Sequence, residues 1–301
     1  MQTFNKNSSA LIGHLCRMLL LCFLANSLMA QEEATANVST NKPVKNTFES
    51  ATIFDNPTSL VPIKGTFEMD IQHRFGTVNN GYDDLWGIYA PANIRIGFNY
   101  VPIKNLAVGF GLTKERLQWD LNAKYAIFQQ MQDGGMPLSV TWFSNMVIDG
   151  RDKKYFVRSS DRLSYYHALI IARKLSNRIS LQLSPTLSFR NNVEGYYDDD
   201  GVVQKKMENA HFGLSGIARI KYSDSGAIIL GFDQALTQHT FNNPYPNICF
   251  GFEFTTSAHS FQVFAGNSSG ILAQSTNVYN QNDFQEGQFL IGFNISRLWN
   301  F

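Results

Sequence analysis

The sequence predicts an all-β fold: a transmembrane, antiparallel up-and-down β-barrel of about 12 strands. Three observations predict it. Period-two alternation recurs from residue 66 to the C-terminus, the pattern of strands with one apolar and one polar face. The links between these segments alternate short and long, as in outer-membrane barrels, which keep tight turns on one rim and long loops on the other. The last segment runs to a final aromatic residue, and so regular an edge must be paired on both sides to escape aggregation.

The chain opens with a secretory leader over residues 1–30. Lys6, His14 and Arg17 form its polar start, Met18 to Ala25 its apolar centre, and cleavage is expected before Gln31. That apolar run is well short of the roughly 20 residues a helical span needs. Lys6 and Arg17 leave with the leader, so 25 basic residues fall to 23 against 24 acidic ones, a formal charge of −1. No basic stripe remains, which excludes nucleic acid as a partner. Cys16 and Cys22 leave too, so the mature chain holds one cysteine, Cys249, and no internal disulfide. An exported chain without staples must order itself by other means.

Residues 31–65 are expected to form a polar N-terminal arm. Residues 31–47 are rich in Asn, Thr and Glu, a composition that does not bury itself. Phe48, Ile53, Phe54, Leu60, Val61 and Ile63 then supply apolar anchors, while Pro57 and Pro62 deny a long helix or a central strand. Such an arm docks at the periplasmic mouth, enters the lumen as a plug, or packs as a simple arm.

The barrel is expected over residues 66–301. Thr66–Phe75 sets Phe67, Met69, Ile71, His73 and Phe75 against Glu68, Asp70, Gln72 and Arg74. Trp86–Tyr100 sets Ile94, Ile96, Phe98 and Tyr100 against Asn93, Arg95, Gly97 and Asn99. Leu106–Thr113 alternates large apolar residues with Ala and Gly, and Leu117–Gln129 opposes Trp119, Leu121, Tyr125 and Ile127 to Asp120, Asn122 and Lys124. Leu138–Val147 is less clean, because Phe143 and Val147 fall on the polar side, and Arg162–Arg173 is ambiguous in phase. Ile179–Phe189 is clean; Ala210–Tyr222, Ala227–Leu236, Pro246–Thr256 and His259–Asn267 follow. The terminal segment, Gly287–Phe301, puts Phe289, Ile291, Phe293, Ile295, Arg297, Trp299 and Phe301 on one face. Its expected closing partner is Thr66–Phe75. Arg297 falls on the lipid side, where Arg costs about 2–4 kcal/mol at mid-membrane and little near the interface. Four residues from the end, it is expected to snorkel to periplasmic headgroups, or to be turned inward by a bulge.

Long links are expected at residues 76–85, 149–161, 190–209, 237–245 and 268–286, and Lys114–Arg116 is short where a long loop is due. Trp86, Tyr100, Trp119, Trp142 and Trp299 lie near predicted strand ends, as interfacial girdles require. A soluble β-sandwich also alternates. It would have to interlock about twelve faces of similar Phe, Leu and Ile residues, whereas the Gly-, Ser- and Asn-rich opposite faces suit a narrow lumen.

Five motifs, in order, carry a resemblance: His73-Arg74-Phe75-Gly76, Ile94-Arg95-Ile96-Gly97, Lys124-Tyr125, His259-Ser260-Phe261-Gln262 with Asn267, and Gly292-Phe293-Asn294-Ile295-Ser296-Arg297. Together they resemble a Bacteroidota-type membrane-bound β-barrel family of unknown function. The resemblance covers roughly residues 50–301. It implies an outer-membrane barrel and brings no catalytic residues with it.

The candidate lumen residues are Glu68, Asp70, Arg74, Arg95, Asp120, Lys124, Arg219, Lys221 and Glu253. Both signs occur. They read either as a constriction that sorts polar solutes by charge or as ion pairs that fill a small barrel. Phe293, Ile295, Trp299 and Phe301 are expected to be read by the outer-membrane insertion machinery. The best catalytic constellation is Ser257, His259, Ser260 and Asn267, with a hydroxyl beside a His base; Ser257, however, lies in a tight turn with no third group fixed. Asp198-Asp199-Asp200-Gly201 lacks the spaced ligands of a calcium loop and reads as a solvated loop tip. No metal or cofactor motif occurs. The expected protein is a non-enzymatic outer-membrane barrel without cofactor, in contact with lipid and with small polar solutes. As a channel or uptake pore it admits gating by residues 31–65; the alternatives are a structural or secretion barrel using its loops, and an enzyme acting on lipid.

Overall fold

The computed structural model describes residues 42–301; the leader and the first part of the arm lie outside them. Twelve antiparallel strands close into a barrel. In chain order they are β1 Thr66–Thr77, β2 Asn93–Ile103, β3 Leu106–Thr113, β4 Gln118–Phe128, β5 Ser139–Ile148 and β6 Leu163–Lys174. The second half holds β7 Ile179–Arg190, β8 Ala210–Lys221, β9 Gly226–Ala235, β10 Asn247–Thr255, β11 His259–Gly266 and β12 Leu290–Asn300. Each pairs with its neighbours in sequence. β12 closes on β1, with Ile295 opposite Ile71 and Asn300 opposite Thr66, so neither is left as an edge.

Alternation decides the two surfaces. On β4, Trp119, Leu121, Tyr125 and Ile127 are exposed, while Asp120 and Lys124 are buried. On β10, Phe250, Phe252 and Phe254 point out and Glu253 is fully buried. The outer belt of Phe, Leu, Ile, Trp and Tyr is far larger than a water-facing monomer presents, and the polar set turns inward. This inversion of a soluble protein is what a lipid-facing barrel requires.

The ambiguous β6 resolves with Ser164, Tyr166, Ala168, Ile170 and Ala172 inward. Several boundaries differ from expectation. β2 starts at Asn93, because Val78–Asp84 is a short 3-10 segment and Leu85 and Trp86 are left-handed, at φ 52° and 53°. Trp86 therefore stands in a loop and not at a strand end. Between β3 and β4, Arg116 and Leu117 are also left-handed, which turns the chain within Glu115–Leu117 and leaves Leu117 outside the strand. The loop over residues 191–209 carries a small hairpin, Gly195–Tyr197 with Val203–Lys205. Arg297 is exposed and its guanidinium lies 4.8 Å from the centroid of the Trp299 ring, near the rim that holds the short turns.

Candidate functional site

The lumen is the functional centre of such a fold, and here it is occupied. Its wall starts from small residues that leave room for large ones. A Cβ on Gly97 would meet the Asp70 carboxylate and the Arg95 guanidinium, and one on Gly111 would meet Arg95 and Asp120. Arg95 fills that space. Its Nη1 donates to Asp70 at 2.7 Å, and its Nε and Nη2 donate to Asp120 at 2.8 Å each. Arg219 donates to Glu253 across the opposite wall. These pairs sit out of water, so each charge needs its partner. Arg74 donates to Asn294 and lies 4.5 Å above the Phe264 ring.

The arm enters from the short-turn rim. Val44 donates to the Gln130 carbonyl, Gln132 donates to the Lys42 carbonyl, and the Lys174 ammonium donates to the Lys45 carbonyl. Residues 48–60 then run up inside the barrel. Thr52–Ile53 pairs with Asn56–Pro57, with Phe54 and Asp55 at the tip. Phe54 is left-handed at φ 56°, a conformation that costs a bulky residue about 1–2 kcal/mol. Its seat over-determines it. The Phe54 N–H donates to Gln262, and its carbonyl accepts from Gln72 and Asn294. Its ring packs edge-on against Phe264 at 4.9 Å. Phe48, Ile53 and Phe54 join Ala172, Ile217, Ile229, Cys249 and Phe264 in one buried cluster. A Cβ on Gly231 would come within 2.8 Å of the Phe54 ring, so glycine is what makes the seat.

Polar wall residues grip the rest of the arm. Ser50 shares its hydroxyl between Glu253 and Ser260, and Asn56 donates to Asp233. Gln182 donates to the Pro57 carbonyl and accepts from Ser59 N–H. Thr141 donates to the Ser59 carbonyl. Lys124 donates to the carbonyls of Ala51 and Leu60. The lumen wall thus satisfies the backbone of a segment that forms little structure of its own.

From the other rim, the loop between β11 and β12 folds inward. It forms the short helix α1, Ala273–Tyr279, whose first six residues are buried. Ala273 packs on Tyr166, Ala168 and Ile170 of β6. Asn247 donates to Asn277, and Arg190 stacks on Tyr279 at 4.8 Å. Arm and helix meet where the Asp55 side chain hydrogen-bonds Thr276. Burial raises the Asp55 carboxyl above its ordinary range, opposed by the charge of Arg74 and by that hydrogen bond. A cavity of about 70 Å³ survives between the arm, α1 and the wall formed by β1 to β6.

Of the lumen candidates, Glu68, Asp70, Arg74, Arg95, Asp120, Lys124, Arg219 and Glu253 are buried inside the barrel, and Lys221 is half-buried at the short-turn rim. Glu68, Asp70, Arg95 and Lys124 line the cavity. Sequence reading missed the neutral residues that hold the arm, Gln72, Gln182, Gln262 and Asn294, although alternation alone puts Gln72 and Gln182 on the inner face. It also missed Tyr166 and Gln274, which only the fold of β6 and α1 turns inward. Phe293 stacks on His73 at 4.9 Å, Trp299 contacts Phe67 at 5.7 Å, Ile295 is half-buried on the outer face, and Phe301 is exposed. Among the described residues no hydrogen bond joins Ser257 to His259, whose ring stacks on Phe261 instead. The Asp198 carboxylate accepts from Gln204 and from the N–H groups of Val202 and Asp200, which caps the loop hairpin and holds its pKa below the ordinary value.

A family model described as "Membrane bound beta barrel domain (DUF5777)" matches residues 48–299. No curated protein matches the chain in sequence. Among solved structures, a NanC porin is 9% identical over 78% of this chain and 99% of its own, with a TM-score of 0.47. An outer membrane channel from Pseudomonas putida F1 is 10% identical over 80% and 97%, with a TM-score of 0.47. A KdgM porin is 10% identical over 78% and 99%, with a TM-score of 0.44.

Proposed function

The chain belongs to the membrane-bound beta barrel domain family, and from that premise we propose that it is a gated outer-membrane channel for small polar solutes, shut at rest by its own N-terminal arm. One observation carries the reading. Wall residues of β1, β4, β5, β7, β9, β10, β11 and β12 all bond to residues 50–59 or Leu60 of a segment that could leave without breaking the barrel's own ladder. A wall built only to be filled would be satisfied by packed side chains. This one holds a separable strap. The barrel carries out no covalent chemistry in this reading, and its partners are lipid on the outer belt, the insertion machinery during assembly, and the solute.

Conductance in planar bilayers tests it. Full-length protein should be silent or nearly so. A version lacking residues 31–64 should conduct, and further loss of residues 271–285 should raise the current. Folded, heat-modifiable barrel that stays silent in both deletions would sink the channel. A second reading has its own support: the filled lumen and the structured hairpin at Gly195–Lys205 suit a non-conducting scaffold that holds a partner on its loops. Silence after both deletions, with loss of partner capture when residues 192–208 are removed, would favour it.

A further inference from the structure

We infer that the cavity between the arm, α1 and β1–β6 is an occluded binding site for a small uncharged polyol, which gives the solute class of the proposed channel and rests on that reading. Three side chains point to a ligand. Tyr166 on β6 is 1% exposed, Asn145 on β5 is 6% exposed and Gln274 on α1 is 1% exposed. All three line this one cavity. The Tyr166 hydroxyl, the Asn145 carbonyl oxygen, and both the oxygen and the nitrogen of the Gln274 amide have no hydrogen-bond partner in the protein. A buried polar group left unmet costs as much as a lost hydrogen bond. Four such atoms converging from three elements on one space are complementary to something that enters it.

Their chemistry narrows the class. Gln274 offers donors and an acceptor, Tyr166 offers both from one hydroxyl, and Asn145 offers an acceptor. A hydroxyl, which gives and takes, meets all of them. The same space is walled by Phe143, Leu272 and Ala273, which suits the C–H face of a polyol and not a bare hydration cluster. Charge excludes an anion. The lining carries Asp55, Glu68 and Asp70 against Arg95 and Lys124, and both cations are already engaged, Arg95 by Asp70 and Asp120, Lys124 by two arm carbonyls. A volume of about 70 Å³ is about half that of an engineered cavity that admits benzene. It suits a two- or three-carbon polyol with the arm seated, and a longer one only when the arm shifts.

Saturation-transfer NMR on the purified full-length barrel tests this, with glycerol, glycolate and ethanolamine as probes. Glycerol should receive saturation and glycolate should not. Tyr166→Phe with Gln274→Leu should weaken the glycerol response about tenfold, the loss of roughly one hydrogen bond's worth of affinity. Tyr166→Phe alone, which keeps the ring packing, guards against a variant that fails to fold, and should give a partial loss. A glycerol response that is absent, or equal in wild type and variants, would mean that water alone fills the space and would overturn the site. Preferred transfer to glycolate or ethanolamine would overturn the class. The outcomes separate from the channel test: current from the arm-deleted barrel without a glycerol response removes the site and leaves the pore, while a response without current leaves a binding barrel and removes the pore.

Discussion

Asp55 stands at the tip of the arm, half-buried, with its open side facing the cavity and Thr276, Arg74, Asp233 and Tyr166 around it. Burial raises its pKa while the arm is seated. A seated carboxyl that holds its proton more tightly than a released one stabilises the seat at low pH. That contribution is fully present below the ordinary carboxyl range, about 3.9, and is lost as pH rises through the seated value. Protease cleavage within the arm should therefore speed up from mildly acidic to alkaline pH, and Asp55→Asn should flatten the profile. An unchanged slope in the variant would show that other groups set it. Gly231 gives a steric test. Gly231→Val puts methyl groups where the Phe54 ring lies, so the arm should be cleaved at low protease dose while the barrel keeps its heat-modifiable mobility. Arg95 tests the wall itself. Arg95→Ala leaves Asp70 and Asp120 facing each other unpaired, at a cost of about 3–5 kcal/mol, seen as a lower unfolding temperature. Replacing all three by Met, Leu and Leu should recover much of it.

Among the elements, the arm is the least self-sufficient. Its two-residue strands make one small hairpin, and such a hairpin is not stable alone. Its order comes from the lumen: an apolar cluster and a set of side-chain amides. Phe54→Ala removes the ring at the centre of that cluster, a loss of about 3–5 kcal/mol by analogy with other buried aromatics. Cleavage of the arm should accelerate by two or more orders of magnitude, on the order of that free energy. The helix α1 has the same dependence on its neighbours, since seven residues do not hold a helix in water. Two weak elements, one from each rim, thus share one contact inside a rigid wall, a construction in which a few kilocalories decide between shut and open.

At the level of the whole molecule, barrel closure joins the first and last strands over most of their length. Assembly therefore cannot finish until the C-terminal strand is placed. Trp299 contacts Phe67 across that seam, and the Thr66 hydroxyl donates to Asn300 at 2.7 Å. Phe301 is 93% exposed, so the folded barrel gains little from its side chain. Deleting Phe301 should leave the unfolding temperature of the folded barrel nearly unchanged, yet lower the yield of inserted protein in cells severalfold. Normal insertion of the truncated chain would remove the proposed role of the aromatic end as an assembly signal.

The sequence by itself determined the barrel, because alternation is a local property. A residue's parity along a strand fixes which face it takes, so Asp120, Lys124 and Glu253 could be placed inward and Trp119 and Phe252 outward without knowing any contact. Loop lengths fixed the rims and the pairing of the terminal strand with Thr66–Phe75 in the same way. Only the tertiary structure decided what fills the bore. The arm's apolar residues are sparse and interrupted by Pro57, so no period marks their destination, and their seat combines Ile217, Ile229, Cys249 and Phe264 from four strands. Parity puts a residue inside; it does not say whether that residue meets an ion, an arm carbonyl or open space. Lys124 grips a strap and Gln274 faces a cavity because chain segments far apart in sequence converge there, and convergence is the part of a fold that no local pattern encodes.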